Sequence, residues 1–155
     1  MRTVGLLFLI SVSACWATLD SGAYELGDLL VRHAPTIKQD GRAWDPFGGA
    51  SDIYVSFYLQ SGRDAELLFN TAGKQDCGSS AAWSSFWETY FSSDEIDDPD
   101  TFLFVKIWDY DTDADDFMDS GRIAITDLIN GENLIECDYG AEVSFTLGGP
   151  LYGGQ

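Results

Sequence analysis

Six aspartates, Asp109, Asp111, Asp113, Asp115, Asp116 and Asp119, fall within eleven consecutive residues directly after the apolar run that ends at Trp108. Carboxylates packed this closely repel one another, by about 4 kcal/mol per pair at 4 Å in a medium of effective dielectric near 20. Spreading the side chains into water is one way to lower that cost. The other is a hard cation, and calcium, which takes about six to eight oxygen ligands at roughly 2.3–2.6 Å, suits short carboxylates on a turning backbone. Magnesium holds its water in a stricter octahedron and suits them less.

An EF-hand is the first arrangement to test, because Asp109, Asp111, Asp113 and Asp115 occupy the first, third, fifth and seventh places of such a loop. The match fails at the sixth place, where Ala114 stands instead of glycine, and at the twelfth, where Ser120 replaces the bidentate glutamate. The preceding FLFVKIW also has the character of a strand rather than a helix. A second acidic cluster, Asp40, Asp45 and Asp52 in DGRAWDPFGGASD, lies upstream between two strand-like runs. Asp52 stands where a strand begins and Asp109 where another ends, so two loops at one edge of a sandwich can share a cation.

The elements that must position these loops are short and rich in β-branched and aromatic residues. Strands are predicted over 29–34, 53–59, 65–69, 86–91, 102–108, 122–125 and 142–147. In 102–108, Leu103, Val105 and Ile107 face one way and Phe104 and Lys106 the other. Seven or eight such strands parted by Gly, Asp and Ser clusters predict an all-β antiparallel sandwich. One helical turn is expected over 126–130, with Thr126 as N-cap and Gly131 as stop.

At the N-terminus, Arg2, an apolar run to Val12 and the small-residue stretch ending at Ala17 read as a secretory signal peptide over 1–17. The expected domain then spans 18–147, followed by a Gly-rich tail over 148–155, and the product is expected outside the cell. The chain has 155 residues and a net charge of −18; without Arg2 the basic residues fall from 8 to 7 against 26 acidic ones, giving −19. That balance argues against nucleic acid as a partner. Only Lys38, Lys74 and Lys106 supply ammonium groups, so an acidic surface can be met only through an added cation. In an oxidising compartment Cys77 and Cys137 are expected to pair, whereas two thiols and the lone His33 fall short of a zinc site. His33 is read as an ordinary strand residue, and no triad can be assembled around it, so no enzymatic activity is expected.

Taken together, LLVRHAPTIKQDGRAWDPFGGASDIYVSFYL, WETYF and FLFVKIWDYDTDADDFMDSGRI resemble the first strands and first calcium loop, the fourth strand, and the sixth strand and third calcium loop of the C2 domain family. WDYD followed by an aspartate-rich loop is most similar to the perforin-type C2 domain. The resemblance implies an eight-stranded C2-type β-sandwich in the permuted (type II) form, closed by 142–147. It places calcium ligands at Asp45 and Asp52 in the first loop and at Asp109, Asp111 and either Asp115 or Asp116 in the third. The first loop is one residue long between its aspartates, which makes Asp40 an alternative to Asp45, and an insertion before Gly121 brings Asp119 into the choice. The resemblance further implies calcium-dependent binding to a phospholipid membrane. Trp44, Phe47, Tyr110 and Phe117 are the expected membrane contacts, the alternative for Trp44 and Phe117 being that they fold back onto the sandwich, with Met118 assigned to the core. The competing expectation is an extracellular acidic calcium-binding or matrix protein that does not bind lipid.

Overall fold

The computed structural model describes residues 19–44, 49–111 and 114–151. The expected signal peptide, Asp45, Phe47 and the end of the Gly-rich tail lie outside the described residues. Among the described residues, nine strands form two antiparallel sheets: β1 (Gly22–Arg32), β2 (Ile53–Ser61), β3 (Asp64–Asn70), β4 (Ala81–Trp83), β5 (Trp87–Phe91), β6 (Thr101–Asp109), β7 (Asp116–Ala124), β8 (Gly131–Glu136) and β9 (Glu142–Gly148). One sheet runs β4-β1-β9-β8, with β5 also on β1, and the other runs β3-β2-β6-β7. The last strand, β9, lies between β1 and β8.

The predicted all-β sandwich is the observed one, with differences at its margins. β4 and β5 divide β1 between them, β4 pairing Leu29 to Val31 and β5 pairing Gly22 to Leu26. The interruption falls at Gly27, where a Cβ would meet the Phe86 ring at 2.4 Å, so only glycine admits that ring. β4 and β8 were not expected. The helical turn predicted over 126–130 is a 3-10 turn at Ile125–Asp127 whose N-cap is Ala124, with no side-chain cap. Gly131 does not stop a helix; it opens β8 with φ near 128°. A five-residue helix, α1 (Ser93–Asp97), was also missed, although Ser92 and Glu95 form a reciprocal capping box.

β6 has strict two-residue alternation, with Leu103, Val105 and Ile107 fully buried and Phe104, Lys106 and Trp108 half-buried on the outer face. Between the sheets, Phe57 stacks on Phe69 at 4.8 Å and meets Phe145 edge-on at 5.8 Å. Burying rings of this size stabilises by roughly 1.5–3 kcal/mol each. Outside, Lys106 keeps its ammonium over Tyr58 at 5.1 Å and near Phe104 and Trp108, which explains a lysine in mid-sheet. Among the described residues no helix is long and apolar enough to cross a membrane.

Candidate metal and membrane site

The inward row of β6 continues past Ile107 to Asp109, so strand periodicity alone drives a carboxylate to the rim of the core. Asp109 is 2% exposed and pairs with Ile53, the first residue of β2. Its Oδ1 accepts the Asp52 N–H at 2.6 Å, and the Tyr110 N–H donates to the Asp52 carbonyl at 2.8 Å. Asp52 in turn accepts the Asp76 N–H on Oδ1 at 2.7 Å, which draws in the β3–β4 loop. The expected neighbours Asp52 and Asp109 are therefore brought together. Burial raises the Asp109 pKa first; the Asp52 amide opposes this, and the negative charges of Asp111, Asp52 and Asp116 raise it further.

Part of the expected third loop is strand. β7 begins at Asp116, directly opposite Asp109, so the two side chains share a face of the sheet. Asp115 leans elsewhere: its Oδ2 accepts the Tyr54 hydroxyl at 2.7 Å, and its Oδ1 accepts the Asp111 N–H at 3.3 Å. Burial and that acidic partner push the Tyr54 phenol up. A register shift follows, with Ile107 opposite Asp119 and Trp108 opposite Phe117, so Met118 is the extra residue. Met118 is buried, as expected.

Asp119 is not among the metal candidates that the geometry supports. It is fully buried and accepts three backbone N–H groups, from Ser120 at 2.8 Å, Tyr139 at 3.0 Å and Ala141 at 3.0 Å. Its carboxylate clasps the β8–β9 turn onto β7. Asp40, the alternative to Asp45, is engaged by Arg42 through a 2.6 Å ion pair and a backbone N–H.

The first loop folds on itself. Ile37 bridges Ala43, and the Lys38 N–H donates to the Arg42 carbonyl at 2.8 Å. From this small hairpin the Lys38 ammonium reaches Asp116, and that bond raises the Lys38 pKa. Sequence reasoning missed this contact, and also missed Tyr54 and Asp76, because only strand register reveals such partners. Trp44 corrects an expectation: it is 5% exposed, part of the core, and donates from Nε1 to the Pro35 carbonyl at 2.6 Å. Its burial removes it from the membrane contacts. Tyr110 and Phe117 do project, at 55% and 42% exposed, and Ile37, not anticipated, is 57% exposed.

The expected disulfide is also corrected, since Cys77 and Cys137 are free thiols. The Cys77 N–H bonds to Ser51, just before β2, whereas Cys137 bridges Gly121 of β7, and β6 runs between those strands. Burial raises both thiols, Cys137 to about 12 with help from the charges of Asp119 and Asp138. Such thiols are poor metal ligands. His33, read as a strand residue, lies just past β1 at φ near 56° and is exposed.

The donors gathered near Asp109 are hard oxygens, which suits calcium and not a thiophilic metal. A buried carboxylate whose protonation is favoured by three like charges is also a group that a cation relieves. Among the described residues, however, no three His, Cys, Asp or Glu side chains stand close enough to form a metal cage.

No protein-family model matches the chain, and no curated protein matches it in sequence. Solved structures do. A structure described as a C2 domain is 18% identical with a TM-score of 0.53, covering 82% of this chain and 98% of its own. The paired C2 domains of Extended-Synaptotagmin 2, calcium bound, are 17% identical with a TM-score of 0.54, over 85% of this chain and 46% of theirs. Human GIVD cytosolic phospholipase A2 is 18% identical with a TM-score of 0.57; 83% of this chain matches 17% of that enzyme. These likenesses show that the chain has the C2-domain fold. They do not carry the perforin type within it.

Proposed function

We propose that this protein is a calcium-binding C2 module that attaches to phospholipid surfaces and has no enzymatic activity of its own. The observation that carries the reading is the inward Asp109 carboxylate at the core rim, tied to Asp52 and facing the charges of Asp111 and Asp116. Asp52, Asp109, Asp111 and Asp116 are the residues that would hold the ion, joined by Asp45 from the first loop. Asp116 is favoured over Asp115 because it shares a face with Asp109, whereas Asp115 is turned to Tyr54. Calcium, when bound, supplies the positive charge that links these carboxylates to lipid phosphate. A chain of net charge −18 is otherwise repelled by an anionic bilayer. Ile37 and Tyr110 on the loops and Phe117 at the start of β7 supply apolar surface for the interfacial zone. The position of β9 between β1 and β8 supports the permuted strand order, and the leader-like N-terminus supports secretion. The perforin type remains a proposal on WDYD and its acidic loop.

Calorimetric titration with calcium chloride tests the ion. Wild type should bind with Kd in the range of roughly 10⁻⁴ to 10⁻³ M typical of extracellular modules, and Asp109→Asn and Asp52→Asn should each bind at least about tenfold more weakly. Variants that bind like wild type refute the shared site. Sedimentation with phosphatidylserine-containing liposomes, with and without calcium, tests the membrane. Calcium binding without recruitment would favour the acidic calcium-binding protein instead.

A further inference from the structure

Lys38 stands apart from the rest of the acidic site because it brings a positive charge to it. Its ammonium bonds Asp116, the carboxylate that shares a face with Asp109, and lies within electrostatic reach of Asp111. Its place is built. The backbone on either side is held by the Ile37 to Ala43 bridge and by the Lys38 to Arg42 and Gly41 to Lys38 hydrogen bonds, at 2.8 and 2.9 Å. The ammonium lies 5.6 Å from the ring centre of buried Trp44, which itself is fixed by its bond to Pro35. The side chain is 24% exposed, against 77% for Arg42 a few residues on, whose guanidinium is spent on Asp40.

We propose that Lys38 is a tethered counter-cation that competes with calcium for Asp116, stabilising the loops without metal and lowering their affinity for it. The inference rests on the calcium reading and adds an affinity-setting residue to it. Calcium can take Asp116 as a ligand only if the ammonium withdraws, and even a withdrawn ammonium on the same hairpin repels a divalent ion. Repulsion between one unit charge and two across about 6 Å of water-like medium amounts to roughly tenfold in affinity.

The test compares Lys38→Met, which keeps an apolar stem beside Trp44, with Lys38→Arg and with Arg42→Met, which removes the same charge from the same hairpin without touching Asp116. Calcium chloride titration should show Lys38→Met binding about tenfold more tightly than wild type, Arg42→Met within about twofold, and Lys38→Arg close to wild type. Thermal melts in chelator should show the opposite sign, with Lys38→Met melting about 3 °C lower than wild type. If Lys38→Met binds calcium like wild type while wild type binds, the competition is refuted and the calcium reading stands. An equal gain in Arg42→Met refutes it as well, because the effect is then general charge. Absence of calcium binding by wild type overturns both readings.

Discussion

Asp119→Ala separates the structural aspartate of the acidic run from those assigned to the ion. Asp119 is fully buried and its two oxygens receive three backbone N–H groups, two of them from the β8–β9 turn some twenty residues away. Bonds to a charged acceptor contribute about 1.5–3 kcal/mol each, and the one to adjacent Ser120 is local and easily replaced by water. The two remaining bonds give a loss of roughly 3–6 kcal/mol, a large part of the ~5–15 kcal/mol that holds a domain together. Asp119→Asn retains Oδ1 for Ser120 and Tyr139 but turns an amide NH2 toward the Ala141 N–H, so it should lose about half as much. Urea unfolding followed by tryptophan fluorescence measures both, and calcium titration of the folded fraction should give wild-type affinity. A variant that keeps its urea midpoint but loses calcium affinity refutes the assignment and returns Asp119 to the ligand set.

Trp44→Ala should destabilise by about 3 kcal/mol through the lost ring and its bond to Pro35, with liposome recruitment of the folded protein unchanged. Reduced recruitment at unaltered stability would show instead that the ring meets lipid. Cys137, raised to about 12, favours folding as the neutral thiol. That contribution is complete below the unfolded thiol's pKa near ~8.5 and is lost as pH rises toward the folded value. Wild type should therefore lose more stability than Cys137→Ser between about pH 9 and 11, and parallel denaturation profiles would contradict this.

The sandwich was legible where strands are long and alternate, as in β6, whose inward row can be read off Leu103, Val105 and Ile107. β4 is three residues long and offers no period, and β8 hides behind Glu132, Leu134 and Glu136, whose side chains point outward. Thr126 and Gly131 carry helix-boundary signals that tertiary pairing overrides. At the site, residue type and spacing identified the right stretch but not the roles within it. The extra residue at Met118 decides that Asp116 faces Asp109, and a one-residue shift in register is invisible to composition. The cysteine expectation came from compartment alone, which says nothing about whether two thiols lie on neighbouring strands. Trp44 was misplaced because an aromatic beside aspartates looks the same whether it projects or folds back.

The hydrogen bonds from Asp76 to Asp52 and from Asp52 to Asp109 form a series in which each backbone amide is held by the next carboxylate. The β3–β4 loop, the start of β2 and the end of β6 are thereby tied together, with the Lys74 N–H on the Ile53 carbonyl and the Tyr110 N–H on the Asp52 carbonyl adding to the same joint. Loss of the Asp109 carboxylate would therefore be felt at the Asp52 amide, and loss of the Asp52 carboxylate at the Asp76 amide. Energetic effects in such a series cannot add: the Asp52→Asn, Asp109→Asn double variant should cost calcium affinity measurably less than the two single losses combined. Strict additivity would mean that the loops move independently and that the shared bonds are incidental to how the tip responds.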